Sequence, residues 1–246
     1  MKVLSIGAHP ADVYDQAGGT LANFANDGHE VYIAVVTHGA YSHAQLVEGK
    51  GKTRSLDEVV ALKKKESDAA AQFIGAKEVR YLGFDDEPFV TTRQSTLALA
   101  EYVREVRPEI VIAHHPGEYC HPDHPIVGEM SLRSLKAAER WLEGSERLAH
   151  SVKSVYFFGS QFRNLSATLG WQVLAPDFVV DITRSIEAKK KSIAAFASQS
   201  YAGSQYEDKW VNARAERLEG YYGLMSGLRY AEEFIAFTPQ IVQLLP

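Results

Sequence analysis

Apolar residues in this chain gather into short runs, and stretches of helical period separate the runs. Residues 3–8, 31–36, 79–82 and 110–113 are such runs. They are too short for helices and mostly apolar, which predicts strands, with those at 3–8 and 31–36 covered on both faces. A helical stretch at 20–25 follows Gly18-Gly19 and ends near Asn26-Asp27-Gly28. Residues 56–74 carry apolar positions at helical spacing, with Gly75 placed to stop the helix. Further helices are expected at 91–106, closed by Arg107-Pro108, and around 127–142. This alternation implies an α/β fold, a mainly parallel sheet with helices on both faces.

Beyond residue 150 the pattern loosens. Strands at 155–158 and 178–180 and helices at 185–198 and 208–222 make a C-terminal elaboration. No stretch reads as a linker, so one domain over residues 1–246 is expected. Residues 37–55 are polar, glycine-bearing and aperiodic. That is long for a connection in a compact domain and marks a candidate active-site loop.

Composition removes several function classes. The chain is 46% hydrophobic and 23% charged, an ordinary soluble profile. Net charge is −5, and cationic residues are scattered apart from Lys63-Lys64-Lys65 and Lys189-Lys190-Lys191, which argues against a nucleic-acid partner. No apolar run reaches the roughly 18 residues of a membrane span. The start lacks a signal peptide's apolar region, and the single cysteine, Cys120, forms no internal disulfide. Both imply a cytoplasmic protein.

The chemistry concentrates in two segments. His9-Pro10-Ala11-Asp12 follows the first strand, and His121-Pro122-Asp123-His124 follows the fourth. In doubly wound sheets ligands bind beyond the carboxyl ends of the strands, where strand order reverses. In the common order 3-2-1-4-5 the first and fourth strands are neighbours, so both segments are expected around one crevice. His9, Asp12 and His124 are the candidate metal ligands. Two imidazoles and one carboxylate are the ligand count of a catalytic zinc site, which keeps a position open for water. Asp123 can orient a histidine by accepting its second N–H.

A plainer reading makes Asp12 and the second-segment histidines helix caps. Capping accounts for the aspartate but not for three imidazoles. A dinucleotide site is disfavoured, because the first turn lacks Gly-x-Gly-x-x-Gly. His114-His115 either support the site or pack at the strand end. Cys120 is either a soft ligand or simply buried. Asp85-Asp86-Glu87 either cap a helix or support the site. Tyr201, Tyr206, Trp210, Tyr221 and Tyr222 suit core packing, a substrate pocket or a subunit contact, which leaves a homo-oligomer open.

With these residues in view the chain resembles the PIG-L (LmbE-like) superfamily of zinc-dependent N-deacetylases. The likeness runs from residue 3 to about residue 200. It takes in Ala8-His9-Pro10, Ala17-Gly18-Gly19-Thr20-Leu21-Ala22, Thr37-x-Gly39, Lys65-Glu66 through Gly75, Leu82-Gly83-Phe84-Asp85 and His121-Pro122-Asp123-His124. The resemblance implies a Rossmann-like sheet and a Zn²⁺ (or another divalent metal) held by His9, Asp12 and His124. It also implies that His121 stabilises an oxyanion and that Asp123 supports a histidine. The activity implied first is N-deacetylation of an amino sugar or sugar conjugate.

The departures matter as much. Ala11 stands where the superfamily carries its general base, Val13 replaces the following Glu, and Gly39-Ala40 replaces a common Gly-Glu. A replacement base is then expected among His43, Glu48 and His121, the first two in the long loop. Fewer carboxylates at the metal favour an anionic small-molecule substrate, while the resemblance implies a sugar-derived one. The superfamily's hydratases of unsaturated oxo-dicarboxylic acids carry a similar turn, and this chain also resembles them loosely at Arg229-Tyr230-Ala231-Glu232. Arg54, Lys52 and Arg163 are candidate partners for substrate carboxylates. Hydration is therefore the alternative activity, and a non-catalytic metal- or ligand-binding protein is the third.

Overall fold

The computed structural model describes residues 1–43, 54–118, 121–140, 142, 144–159, 176–199 and 215–237. Lys52, Glu48, Cys120, Arg163, Tyr201, Tyr206 and Trp210 lie outside the described residues, as does the side chain of His43. The strands are β1 (Lys2–Gly7), β2 (Glu30–Thr37), β3 (Glu78–Phe84), β4 (Ile110–Ala113), β5 (Ser154–Phe158), β6 (Phe178–Asp181) and β7 (Ala231–Ala236). They form one sheet in the order β3-β2-β1-β4-β5-β7-β6. The first five are parallel; β7 runs antiparallel to both β5 and β6. The expected 3-2-1-4-5 order is present, and an antiparallel pair extends it.

The helices that flank this sheet are α1 (Asp12–Asn26), α2 (Leu56–Phe73), α3 (Arg93–Val106), α4 (Asp123–Ala138), α5 (Ile186–Ala194) and α6 (Gly220–Met225). Alternation along the strands explains the layers. Leu4, Ile6, Ala34, Val36 and Val111 pack on one face with Leu99 and Val103 of α3 and Val127 and Met130 of α4. Val3, Val31, Ile33, Val35 and Ile112 pack on the other with Tyr14 and Leu21 of α1 and Ala70 of α2. Fully burying one such side chain stabilises the fold by roughly 1.5–3 kcal/mol before entropy is counted. Local signals set the helix ends: Ser55 and Glu58 form a capping box at α2, and Thr92 and Ser95 form one at α3.

Several expected boundaries shift. The helix expected at 20–25 begins at Asp12, and a kink at Ala17 (φ −138°) had hidden its first turns. The helix expected around 127–142 begins at Asp123, so His124 lies inside its first turn. The helix expected at 185–198 is α5 with short 3₁₀ turns on either side. The helix expected at 208–222 is a π turn, Ala215–Glu219, leading into α6, with residues 208–214 outside the described set.

Strand β7 was not expected, because Glu232-Glu233 interrupts its apolar run. Their burial has a local cause at Glu232. Its carboxylate accepts the Gly19 and Thr20 N–H groups, freed by the kink in α1, at 2.9 and 2.7 Å. The ammonium of Lys189 lies 2.7 Å from Glu232 and 2.6 Å from Glu219. Buried charges persist when paired and hydrogen-bonded in this way.

Candidate metal centre

The order of strands reverses between β1 and β4. His9 and Asp12 leave the end of β1; His114 and the segment up to His124 leave the end of β4. Two close approaches tighten the site. Gly39 (φ +63°) lies where a Cβ would meet Pro10 at 2.7 Å, and Gly128 of α4 lies where a Cβ would meet the His114 carbonyl at 2.5 Å. The second contact draws α4, and with it His124, against the end of β4.

The result is a carboxylate ringed by imidazoles. Asp12 Oδ2 is 3.3 Å from His9 Nδ1, 3.4 Å from His124 Nε2 and 3.1 Å from His114 Nε2. It also accepts the His9 backbone N–H at 2.7 Å. Asp12 opens α1 with its carboxylate turned to this cluster, and Ala11 at the N-cap makes no side-chain cap bond, so capping does not account for the arrangement.

A carboxylate holds the far nitrogen of each imidazole. His9 Nε2 is 3.2 Å from Asp123 Oδ2, and Asp123 is itself fixed by the Glu87 and Phe89 N–H groups at 3.0 and 2.8 Å. Glu118 serves two rings: Oε1 is 2.5 Å from His124 Nδ1 and Oε2 is 2.9 Å from His114 Nδ1. Oriented imidazoles with carboxylate partners behind them are the usual support of a metal site.

The donor chemistry fits a divalent cation. A neutral imidazole has one N–H. His9 spends its own on Asp123 and His124 spends its own on Glu118, so each turns a lone pair toward Asp12. Burial opposes charge on both rings. Asp12 outweighs it with help from Asp123 and Glu118, raising His9 to about 9 and His124 to about 10. Burial also opposes charge on Asp12, yet His124 and His9 hold it well below the ordinary carboxylate range. A cation among these atoms satisfies the same pull with both imidazoles neutral.

His121 stands at the mouth. Its Nδ1 accepts the Asp123 N–H at 3.2 Å, so the proton of the neutral ring sits on Nε2, 2.8 Å from Glu87 Oε1. Both side chains are partly exposed, 22% and 35%. Burial, His9 and His124 all lower the His121 pKa, so the ring is neutral at neutral pH. Glu87 takes up a left-handed backbone (φ +44°), uncommon for a residue with a side chain.

The described part of the long loop is tied down by Asp86. This carboxylate accepts the Ala40, Tyr41 and Ser42 N–H groups and the Ser42 hydroxyl. His43 ends the 3₁₀ turn that follows, Tyr41–His43.

The structure thus brings together His9, Asp12, His121, Asp123 and His124. Reading the sequence missed Glu118 and left His114, Asp86 and Glu87 undecided. The one available signal was the spacing of Glu118, four residues after His114 and six before His124. Arg54 is exposed beside the start of α2, and His115 packs its ring on Phe157. The expectation of a carboxylate-poor centre is corrected. Asp123 and Glu118 stand behind the ring of imidazoles, contributed by the segment after β4 rather than by the turn after β1.

Comparison with known proteins agrees with this architecture. Residues 4–135, more than half the chain, match the PIG-L family, described as GlcNAc-PI de-N-acetylase. The chain belongs to that family, and so to a group of enzymes. It is 28% identical to the diacetylchitobiose deacetylase of Thermococcus kodakarensis over 98% of this chain and 84% of that protein. It is 25% identical to the 4-oxalmesaconate hydratase of Pseudomonas putida over 98% of this chain and 91% of that one. The crystal structure of GalB, the 4-carboxy-2-hydroxymuconate hydratase of Pseudomonas putida KT2440, superposes with a TM-score of 0.83 at 22% identity, covering 100% and 99% of the two chains. That likeness concerns the fold. No helix among the described residues is long and apolar enough to cross a membrane.

Proposed function

We propose that this chain, as one domain, is a metal-dependent enzyme that directs water onto a small polar substrate, with N-deacetylation of an amino sugar or sugar conjugate as its reaction. The observation that carries the reading is the set of bare nitrogens of His9 and His124 beside the Asp12 carboxylate. These three residues hold the cation, with zinc the first choice for two imidazoles and one carboxylate. When bound, such an ion acidifies water and polarises a carbonyl oxygen.

The remaining work falls to the chain's own groups. Ala11 offers no base, so the His121–Glu87 pair moves the proton. Glu87 takes the proton of the attacking water and returns it to the departing amine, while the Nε2–H of His121 holds the Glu87 carboxylate in place. Asp123 holds His9 and, through its N–H, fixes the His121 tautomer. His43 and Glu48 remain candidate helpers from the loop that Asp86 anchors.

Ala11 also favours a second reading, hydration of an unsaturated oxo-dicarboxylic acid. Water addition to C=C releases no amine, so it makes less demand on a missing acid–base residue. The relative that hydrates 4-oxalmesaconate supports this reading; the relative that deacetylates diacetylchitobiose supports the first. One experiment separates them. Zinc-loaded protein is given N-acetylated sugars and, separately, a conjugated oxo diacid. Acetate release supports deacetylation. Loss of ultraviolet absorbance without acetate supports hydration. Silence in both removes the enzymatic reading for these substrate classes.

A further inference from the structure

His114 directly follows β4, and its side chain is fully buried. Its ring lies between two acceptors: Nδ1 is 2.9 Å from Glu118 Oε2, and Nε2 is 3.1 Å from Asp12 Oδ2. Ionised carboxylates donate nothing, and a neutral imidazole has one proton to give. His114 can satisfy one of the two and must turn a lone pair on the other.

Glu118 decides which. It already receives His124 on one oxygen and is placed to receive His114 on the second. Nε2 of His114 is then bare and faces Asp12, as His9 Nδ1 and His124 Nε2 do. His114, His124 and Asp12 offer donor atoms that all lie within 4.8 Å of one another, and His9 Nδ1 adjoins the same Asp12 oxygen. Donors on a tetrahedral zinc, with bonds of about 2.0–2.1 Å, stand about 3.3 Å apart, and the distances from the Asp12 oxygen are of that size. The three separations from Asp12 Oδ2 are 3.1, 3.3 and 3.4 Å.

We propose that His114 is a fourth protein ligand, through Nε2, of the cation held by His9, Asp12 and His124. This rests on the metal-site reading above and extends it. Glu118 becomes the shared support of two ligands. Three imidazoles and one carboxylate favour zinc, cobalt or nickel over magnesium or calcium. Water or substrate then binds as a fifth donor rather than a fourth.

Zinc X-ray absorption tests this, because imidazole scattering counts the histidines on the metal. The zinc-loaded full chain is expected to show three, and His114→Gln or His114→Ala two. The variants should bind zinc more than about 100-fold more weakly in chelator competition, beyond the 10–100-fold of a supporting residue. His115→Ala should change neither reading. Two imidazoles in the wild type overturn the proposal while leaving the three-ligand site standing, and that count decides even if neither variant folds. A wild type that binds no zinc overturns both.

Discussion

Glu118 Oε1 lies 2.5 Å from His124 Nδ1, and the other oxygen of the same carboxylate reaches His114. One buried acid thus orients two imidazoles from different elements, the end of β4 and the first turn of α4. Burial opposes its charge, yet His114 and His124 lower its pKa to about 2. Glu118→Ala should weaken zinc binding about 10–100-fold, the usual cost of removing a ligand's partner. Chelator competition measures it. Unchanged affinity would show that the rings orient themselves.

The His121–Glu87 pair should matter to turnover rather than to metal content. On whichever substrate proves active, Glu87→Gln is expected to lower kcat by about 10²–10⁴-fold, the typical range for a positioned acid–base group. KM and bound zinc should stay near wild type. A variant with normal kcat would place the base elsewhere, and His43→Ala and Glu48→Ala are then the changes to make.

Gly128→Ala tests how α4 is set. The new methyl meets the His114 carbonyl backbone, which cannot rotate away. Helix and strand must separate by several tenths of an ångström. Overpacking of this kind typically costs about 1–3 kcal/mol. Urea unfolding should show that loss, and zinc affinity should fall with it because His124 moves away from Asp12. Wild-type stability and affinity together would contradict the contact.

The sheet was legible in the sequence where strands are mostly apolar. β1, β2 and β4 announce themselves because both faces are covered and their runs are mostly apolar, whereas β3 at the sheet edge is partly exposed and carries Arg80 within its run. β7 was not legible, because Glu232 is held by Lys189 and by amides of α1 that lie more than 200 residues earlier in the sequence. The cluster of candidate metal ligands was partly legible. His9, Asp12 and His124 follow from strand order and motif spacing. Glu118 did not, because its link to two histidines arises in an irregular segment with no period to read.

The same buried charges give a stability prediction. Lys189→Met removes the cation between Glu219 and Glu232 and leaves carboxylates buried beside each other. Breaking a buried pair in this way costs about 3–5 kcal/mol. Thermal or urea unfolding of metal-free protein should show a loss of that size. A loss below about 1 kcal/mol would mean the network relaxes into water.

Asp86 should govern part of the acid limb of stability. Burial opposes its charge, but His38, Ser42 and Tyr41 hold its pKa well below the ordinary value. A carboxyl with a depressed folded pKa contributes stability that is complete above its unfolded value, about 3.9, and is lost as pH falls toward the folded one. Asp86→Asn should therefore cost about 2 kcal/mol near pH 6. The gap to wild type should narrow as the pH drops below about 4. A gap independent of pH would assign the effect to shape rather than charge.

Metal stoichiometry tests the central claim most directly. The wild-type chain and a His9→Ala/His124→Ala variant are loaded with zinc, dialysed and assayed for bound metal. The wild type is expected to retain about one zinc per chain and the variant essentially none. Equal retention by the two proteins, or none by the wild type, would contradict the account.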